Sequence, residues 1–316
     1  MMKKRNALLA TVLAAAVVTC SMPLTAAAVD TTAPYVESDT TMNFMVEQGK
    51  TYTFKMTVHG THANPNIAMG NGAVFQTRDV KKVVENGNDV YYFKVLATGK
   101  EGEATGVYTT LPGQQPVKHT VAVIPYLAPD MGTDGSLNIA HAKTYQVGKD
   151  IPAGEYAIFP IAPTYIAYCM IYPTADTSGT EVTHKIVHGK NARSYLTFHD
   201  GQYVQLTSAA MVAVQNVARA LPNAKGQLGI GSSDYDLDYK CGLDLQPGTY
   251  TVVHDPTRYG DGSVINESKV RIYDSSYFPA DFDYDAVPSV TFTGSTQITL
   301  KAGQYLSLDR AYIQLS

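Results

Sequence analysis

Two short acidic stretches carry the densest set of potential metal ligands in the chain. "DYDLD" at 234–238 and "DFDYD" at 281–285 both show the alternating aspartates that open a calcium loop. An EF-hand loop also needs glycine at its sixth position, where these stretches have Tyr239 and Ala286. An EF-hand is therefore excluded, and a looser calcium site is the remaining metal hypothesis.

Enzyme signatures that depend on a fixed motif are missing from the sequence. No GxSxG nucleophile elbow occurs, and "GQLGIGSSD" at 226–234 lacks the Lys-Ser/Thr pair of a phosphate-binding loop. The aspartates at 281–285 could supply the carboxylates of a glycoside hydrolase, but on a strand they would lie about 7 Å apart with nothing to distinguish acid from base. We predict a protein without catalytic activity and without a cofactor, and keep a glycoside-active enzyme as a distant alternative.

Histidine and cysteine offer few further sites. His184 and His188 are four residues apart, which suits a metal site on a helix, but the polar residues around them indicate a solvated pair on a strand or loop. Cys169 lies in the apolar "YIAYCMIY", and Cys241 takes the position of Val147 in a related stretch, so both are interpreted as small buried hydrophobic residues. A disulfide between them is the alternative. No neighbouring histidine or CxxC spacing indicates a reactive thiol.

Residues 1–28 are typical of a cleaved secretion signal. Basic residues at 3–5 precede an apolar run, and alanines at 26–28 supply the small side chains that a signal peptidase needs. Cleavage there would begin the mature chain at Val29 and export it to the cell surface or the extracellular space. The alternative is a lipid anchor on Cys20, although the preceding residue is threonine where a lipobox has Gly, Ala or Ser.

The charge of the mature chain argues against nucleic acid as a partner. Lys+Arg number 24 and Asp+Glu 28, and loss of three basic residues with the leader leaves 21 minus 28, a net charge of −7. Phosphate binding needs a clustered basic face, and no Lys/Arg run follows the leader. No later apolar stretch approaches the roughly 18 residues of a transmembrane span. A cell-wall glycan, a host glycan or a protein is the predicted ligand, and the oligomeric state is left open.

Alternating apolar residues and frequent Gly and Pro predict an all-β protein. In "TYTFKMTVHG", for example, Tyr52, Phe54, Met56 and Val58 would share one face of a strand. That stretch, "NGNDVYYFKVLATGKEGEATGVYTT" and "VKHTVAVI" resemble the strands of bacterial immunoglobulin-like domains from secreted Firmicutes proteins. The resemblance implies an immunoglobulin-like sandwich over 33–125. The region has no cysteine and the chain no tryptophan, so the Cys-Trp-Cys core of antibody domains is absent.

A linker-like stretch at 126–142 precedes a repeated sequence. "YQVGKDIPAGEY" aligns with "YKCGLDLQPGTY", "MIYPTAD" with "RIYDSSY", and "YLTFHDGQYVQL" with "QITLKAGQYLSL", in the same order. Matches in the same order predict a tandem duplication. The predicted units are two small β-sandwich repeats at 143–214 and 237–316, joined by a linker at 215–236.

The repeated phrase has a structural interpretation. Gly154 and Gly248 are predicted to end a tight turn with positive φ. Asp150 and Asp244 are predicted to accept a hydrogen bond from the N–H two residues on, and the tyrosines that flank each turn to pair across two strands. The phrase resembles the DIPAGEY-type repeats of secreted and lipoprotein-like Firmicutes proteins. That family implies no established activity, so no functional residue follows from it.

The second copy carries an insertion around "TRYGDGSVINES" and an aromatic, acidic stretch after it. We predict that exposed aromatic rings there form a ligand platform beside an acidic rim, because repeats share a framework and vary at binding loops. The platform residues are Tyr259, Tyr277, Phe278 and Tyr284, and the rim residues are Asp281, Asp283 and Asp285. The alternative is an edge strand with core aromatic rings and aspartates that prevent edge pairing.

Together these patterns predict a secreted or cell-surface, non-catalytic binding protein. It would recognise a surface polymer or a host ligand through the loops of its β domains. The alternative function is that of a structural cell-surface spacer.

Overall fold

The computed structural model describes most of the chain after the predicted leader. The chain divides into the units Met1–Ala33 and Pro34–Ser316, and the fold belongs to the second. The predicted cleavage site and Cys20 lie outside the described residues. These residues are 33–41, 44–128, 141–161, 166–179, 181, 183–188, 192–229, 237–256, 266–278 and 287–315.

The N-terminal domain is an immunoglobulin-like sandwich of two four-stranded sheets. One sheet has the order β1-β3-β6-β5 and the other β2-β8-β7-β4, which is the ABED and CFG arrangement of immunoglobulin domains with β2 added parallel to β8. Phe54, Met56 and Phe93 fill its core. The strands are β1 (Tyr35–Ser38), β2 (Phe44–Met45), β3 (Thr51–His59), β4 (Asn66–Met69), β5 (Phe75–Glu85), β6 (Asn88–Ala97), β7 (Ala104–Thr110) and β8 (Val117–Val123).

A second sandwich, here called repeat 1, follows. Its sheets have the orders β10-β15-β12-β13 and β14-β11-β16-β9, with antiparallel pairing throughout the described ladders. A 3₁₀ turn, Val214–Asn216, ends it. The strands are β9 (Tyr126–Ala128), β10 (Lys143–Gln146), β11 (Gly154–Pro160), β12 (Ile166–Tyr172), β13 (Thr183–His188), β14 (Ser194–Phe198), β15 (Tyr203–Thr207) and β16 (Ala209–Ala213).

A third sandwich, repeat 2, has the same strand order as repeat 1. Its sheets are β18-β23-β20-β21 and β22-β19-β24-β17. Each strand therefore corresponds to the strand of repeat 1 whose number is lower by eight, as β18 does to β10. The fold class predicted from sequence is therefore confirmed. The strands are β17 (Gln227–Leu228), β18 (Asp238–Lys240), β19 (Gly248–His254), β20 (Ser268–Tyr273), β21 (Ser289–Phe292), β22 (Ser295–Leu300), β23 (Tyr305–Asp309) and β24 (Ala311–Gln314).

Both predicted linkers contribute an edge strand. β9 belongs to the stretch 126–142 and pairs with β16, while β17 belongs to the stretch 215–236 and pairs with β24. Each repeat therefore starts earlier than its repeated phrase. The amino-acid composition of the two stretches did not reveal these strands, because each strand is only two or three residues long. The strand that each pairs with also lies more than 80 residues further along the chain.

The repeated turn differs from its predicted geometry in three ways. Gly154 has a φ of 144°, but Gly248 is not in the positive-φ region, and Gly242 with a φ of 99° is the left-handed residue of its turn. The carboxylate of Asp150 accepts the N–H of Gln146, four residues earlier, rather than one further on. The flanking tyrosines lie on opposite sheets, and in repeat 1 the ring of Tyr126 packs between them.

The two repeats share one hydrophobic core and contact each other through buried charges. Arg193 of repeat 1 bonds Asp244 of repeat 2 at 3.0 Å, with side chains 3% and 0% exposed. Lys185 of repeat 1 bonds Asp238 of repeat 2 at 3.0 Å, with side chains 1% and 4% exposed. Backbone bonds join the repeats as well, one of them from Asp238 N to Arg193 O at 2.9 Å. Neither repeat is a closed domain on its own.

Candidate ligand pocket

The predicted aromatic platform is only partly within the described residues. Tyr277 is 40% exposed and its ring packs edge-on against His199 of repeat 1, with 4.4 Å between ring centroids. Tyr259, Tyr284 and the three rim aspartates at 281–285 lie outside the described residues. Tyr277 thus has the exposure that a platform residue needs.

Phe278 is a core ring and not an exposed one. It is 4% exposed and packs edge-on against Tyr273 at 5.8 Å. The Nζ atom of Lys185 lies 5.0 Å from its ring centroid. Tyr277 therefore faces outward while Phe278 fills the contact between the repeats.

A pocket of about 310 Å³ opens on repeat 2. Ligand pockets start at about this volume. The chain continues from the pocket's rim into the insertion that carries Tyr259. The lining residues are Lys225, Gln227, His254, Asp255, Pro256 and Tyr312.

Three strands position these side chains. His254 ends β19, and its backbone N–H bonds Gly294 O at 2.7 Å. Its Nδ1 lies 2.8 Å from the hydroxyl of buried Ser268, which fixes the imidazole plane. The N–H of Asp255 donates to Arg310 O at 2.8 Å. Tyr312 lies between two buried residues of β24, so it faces away from the core and towards the pocket.

The lining combines one aromatic ring with several hydrogen-bonding groups. Gln227 and Asp255 offer acceptors, and Lys225 offers an ammonium donor. Apolar contact from a ring together with a few fixed polar groups is the usual composition of a small-molecule site. Asp255 is the single carboxylate among the six lining residues, so the lining itself does not supply the paired carboxylates of a glycoside hydrolase. The arrangement is suited to holding a small polar group against a ring.

Repeat 1 has the same framework without this lining. Tyr312 pairs with Val253 in repeat 2, and Ala210 pairs with Phe159 in repeat 1. The two pairs are equivalent, because Val253 and Phe159 each lie three residues after the tyrosine that ends the repeated phrase. By the same count, Pro160 of repeat 1 occupies the position that His254 has in repeat 2. Each pair therefore has one aromatic ring, Phe159 in repeat 1 and Tyr312 in repeat 2, and the polar lining is what distinguishes repeat 2. Aligning the two copies and looking for apolar residues replaced by polar ones is the sequence signal that would have found the pocket.

The described residues do not bring together a metal site. No group of three or more His, Cys, Asp or Glu side chains within metal-binding reach occurs among them. Asp238, the last aspartate of the first acidic stretch, is buried against Lys185. His184 and His188 lie on β13, where four residues span about 13 Å. Cys169 and Cys241 are both free and buried, as the hydrophobic interpretation expects.

No described helix has the length and apolar character to cross a membrane.

No protein-family model and no curated protein matches the chain. Two solved structures show weak similarity. The SGBP-B protein of the Bacteroides ovatus mixed-linkage glucan utilization locus, in complex with mixed-linkage heptasaccharide, is 13% identical with a TM-score of 0.19, over 86% of this chain and 71% of that chain. Yersinia pseudotuberculosis InvD is 10% identical with a TM-score of 0.21, over 85% of this chain and 82% of that chain. Scores this low carry no argument about function.

Proposed function

We propose that this protein is a non-catalytic binding protein that holds a sugar unit of a surface polymer in the pocket of repeat 2. The observation that carries the proposal is the contrast between the repeats. Two sandwiches of identical strand order differ at equivalent positions, where repeat 1 has Ala210 and repeat 2 has Tyr312. In repeat 2 the ring moves to the neighbouring strand, as Tyr312, and lies beside the polar residues His254 and Asp255, where repeat 1 has Pro160 and Ile161. A shared framework that varies at polar and aromatic positions supports a ligand site in one copy.

Export of the mature chain from Val29 is part of the same proposal. The basic, apolar and small-residue segments of 1–28 support it. A binding protein at the cell surface would meet the polymers that its pocket is suited to hold.

Direct binding measurements test the proposal. The purified chain from Val29 is applied to immobilised peptidoglycan, a β-glucan and mucin glycans, and the Kd is measured for any that bind. Tyr312→Ala should weaken binding about tenfold, equivalent to about 1.4 kcal/mol for the lost ring contact. Tyr277→Ser is the matched control, because it removes an exposed ring of the same repeat outside the pocket.

Each outcome of these measurements decides between sites. Loss of binding with Tyr312→Ala alone supports the pocket. Loss with Tyr277→Ser alone would transfer the site to the predicted platform and contradict the pocket. Absence of binding to all three polymers would contradict sugar recognition.

A spacer function is the second candidate, and the contact between the repeats favours it. Two buried ion pairs and a continuous core join the repeats into one stiff body. A stiff body is what a spacer needs, and it also suits the presentation of a pocket away from a surface.

A further inference from the structure

Lys185 is a fully buried lysine in direct contact with a buried carboxyl group. Its relative exposure is 0%, and its Nζ lies 3.0 Å from Oδ2 of Asp238. The Nζ atom is therefore at most about 4.2 Å from the Asp238 carboxyl carbon, because the C–O bond adds roughly 1.2 Å to this distance. Near-attack geometries have the reacting atoms about 3–3.5 Å apart, so a small shift of either side chain brings nitrogen and carbon to that separation.

Two aromatic rings lie close to the lysine of this pair. The Nζ atom lies 5.0 Å from the ring centre of Phe278 and 5.8 Å from that of Tyr273. Burying an ammonium and a carboxylate away from water is costly. Transfer of one proton from nitrogen to oxygen removes both charges and leaves an amine and a carboxylic acid. A desolvated lysine amine is an effective nucleophile.

The carboxyl group of Asp238 is held in place on both sides. The backbone N–H of Asp238 donates to Arg193 O at 2.9 Å, and the hydroxyl of Ser194 donates to Oδ2 through a short hydrogen bond. The second oxygen, Oδ1, makes no hydrogen bond within the described part of the chain. A buried oxygen without a partner costs stability, and a reaction that expels one carboxyl oxygen lowers the number of buried polar atoms that need partners.

We propose that Lys185 and Asp238 condense to form an intramolecular amide bond. The Nζ lone pair attacks Cγ of the protonated carboxyl group, and an N–C bond forms. One carboxyl oxygen leaves as water, taking its own proton and one of the two amine protons. The amide keeps the other N–H and the other oxygen, so the net change is the loss of one water and no oxidant is needed. Ser194, which contacts the reacting carboxyl group, can relay the proton to the leaving oxygen.

The bond would join the two repeats covalently. Lys185 lies on β13, the edge strand of one sheet of repeat 1, and Asp238 begins β18 of repeat 2. The link closes a loop across a sequence separation of 53 residues. Covalent closure of a long loop restricts the unfolded chain, so the repeats would resist separation even when their non-covalent contacts are weakened.

The mass of the denatured, reduced protein tests the proposal. The chain from Val29 should be lighter than its sequence mass by one water, and proteolysis should release one branched peptide that contains both Lys185 and Asp238. Lys185→Arg keeps the positive charge but cannot form this amide, so it should have its full sequence mass. Asp238→Asn should lose one ammonia instead of one water.

A second lysine and carboxylate pair provides an internal control. Lys240 and Glu155 also form an ion pair between the repeats, but their side chains are 21% and 15% exposed, and no amide is expected there. An unmodified wild-type mass would overturn the proposal without recourse to any variant. A branched peptide that maps to Lys240 and Glu155 would overturn the assignment to Lys185.

Discussion

Asp150 and Asp244 occupy the same position in the two repeats, yet their carboxylates have different surroundings. Asp150 is exposed and accepts the N–H of Gln146 at 2.9 Å. Asp244 accepts the equivalent bond from Lys240 N and three others, because the guanidinium of Arg193, the hydroxyl of Tyr195 and the N–H of Ala220 also reach it. One residue type therefore closes a turn in repeat 1 and, in repeat 2, also joins the two repeats. The contacts are Arg193 Nη1 at 3.0 Å, Tyr195 Oη at 2.6 Å and Ala220 N at 2.7 Å.

Replacing each aspartate by alanine separates these two roles. Asp244→Ala should lower the free energy of unfolding of the repeats by about 3–5 kcal/mol, because it leaves the guanidinium of Arg193 buried without its carboxylate. Asp150→Ala removes one exposed hydrogen bond and should cost about 1 kcal/mol. Urea denaturation followed by circular dichroism measures both values. Equal losses would show that the buried pair contributes no more than the turn.

At the scale of the element, the turns of the two repeats depend on a glycine that the repeated phrase did not single out. Gly148 has a φ of 87° and Gly242 a φ of 99°. Each directly follows a buried residue, Val147 or Cys241, that forms an isolated β-bridge across the turn. Gly248 begins β19 with an ordinary backbone. A left-handed backbone is unstrained only for glycine, so the turn requires glycine at 148 and 242, not at 248.

Alanine substitutions in repeat 2 test this reassignment. Gly242→Ala should destabilise the protein by about 1 kcal/mol or more, because alanine is strained at positive φ. Gly248→Ala should be neutral or stabilising by up to about 1 kcal/mol, since an added Cβ would meet no atom within 4 Å. Thermal unfolding of the two variants beside the wild type gives the comparison. An equal loss of stability in the two variants would contradict the assignment of the left-handed turn residue to Gly242.

At the scale of the whole molecule, the described residues form two cores for three sandwiches. One core lies within the immunoglobulin-like domain, and the other runs through both repeats and includes Val123 of β8. Each repeat buries one free cysteine, Cys169 in repeat 1 and Cys241 in repeat 2. Burial raises the pKa of both thiols above the ordinary value. The reactive species is the thiolate, so both thiols are expected to react slowly at neutral pH while the repeats are folded.

The shared core predicts that the two repeats unfold together. In a urea series with pulsed alkylation, Cys169 and Cys241 should become reactive at the same urea concentration, as mass spectrometry of the labelled peptides would show. Phe93→Ala, in the core of the immunoglobulin-like domain, should destabilise that domain by about 3–5 kcal/mol and leave both labelling midpoints unchanged. Labelling of one cysteine well before the other would show that each repeat unfolds independently.

Local sequence pattern was sufficient to predict the all-β fold class. Tyr52, Phe54, Met56 and Val58 alternate with polar residues, and the last three are buried on β3 as that period requires. The same local information misassigned Phe278 to an exposed platform, because the side that a ring faces depends on the neighbouring repeat. The pocket was missed for a related reason, since its residues come from three strands that are distant in sequence.

The sequence by itself determined that the chain is all-β, because strand periodicity and turn residues act over a few neighbouring positions. The immunoglobulin-like sandwich was what a family resemblance implied, and the two related sandwiches were predicted from the repeated phrases. Only the tertiary structure decided which polar groups are buried and what they meet. Lys185 and Asp238 are 53 residues apart, and neither position is unusual in its local stretch. Their contact exists because the edge of repeat 1 packs against the first strand of repeat 2, and such packing depends on the shapes of whole sheets.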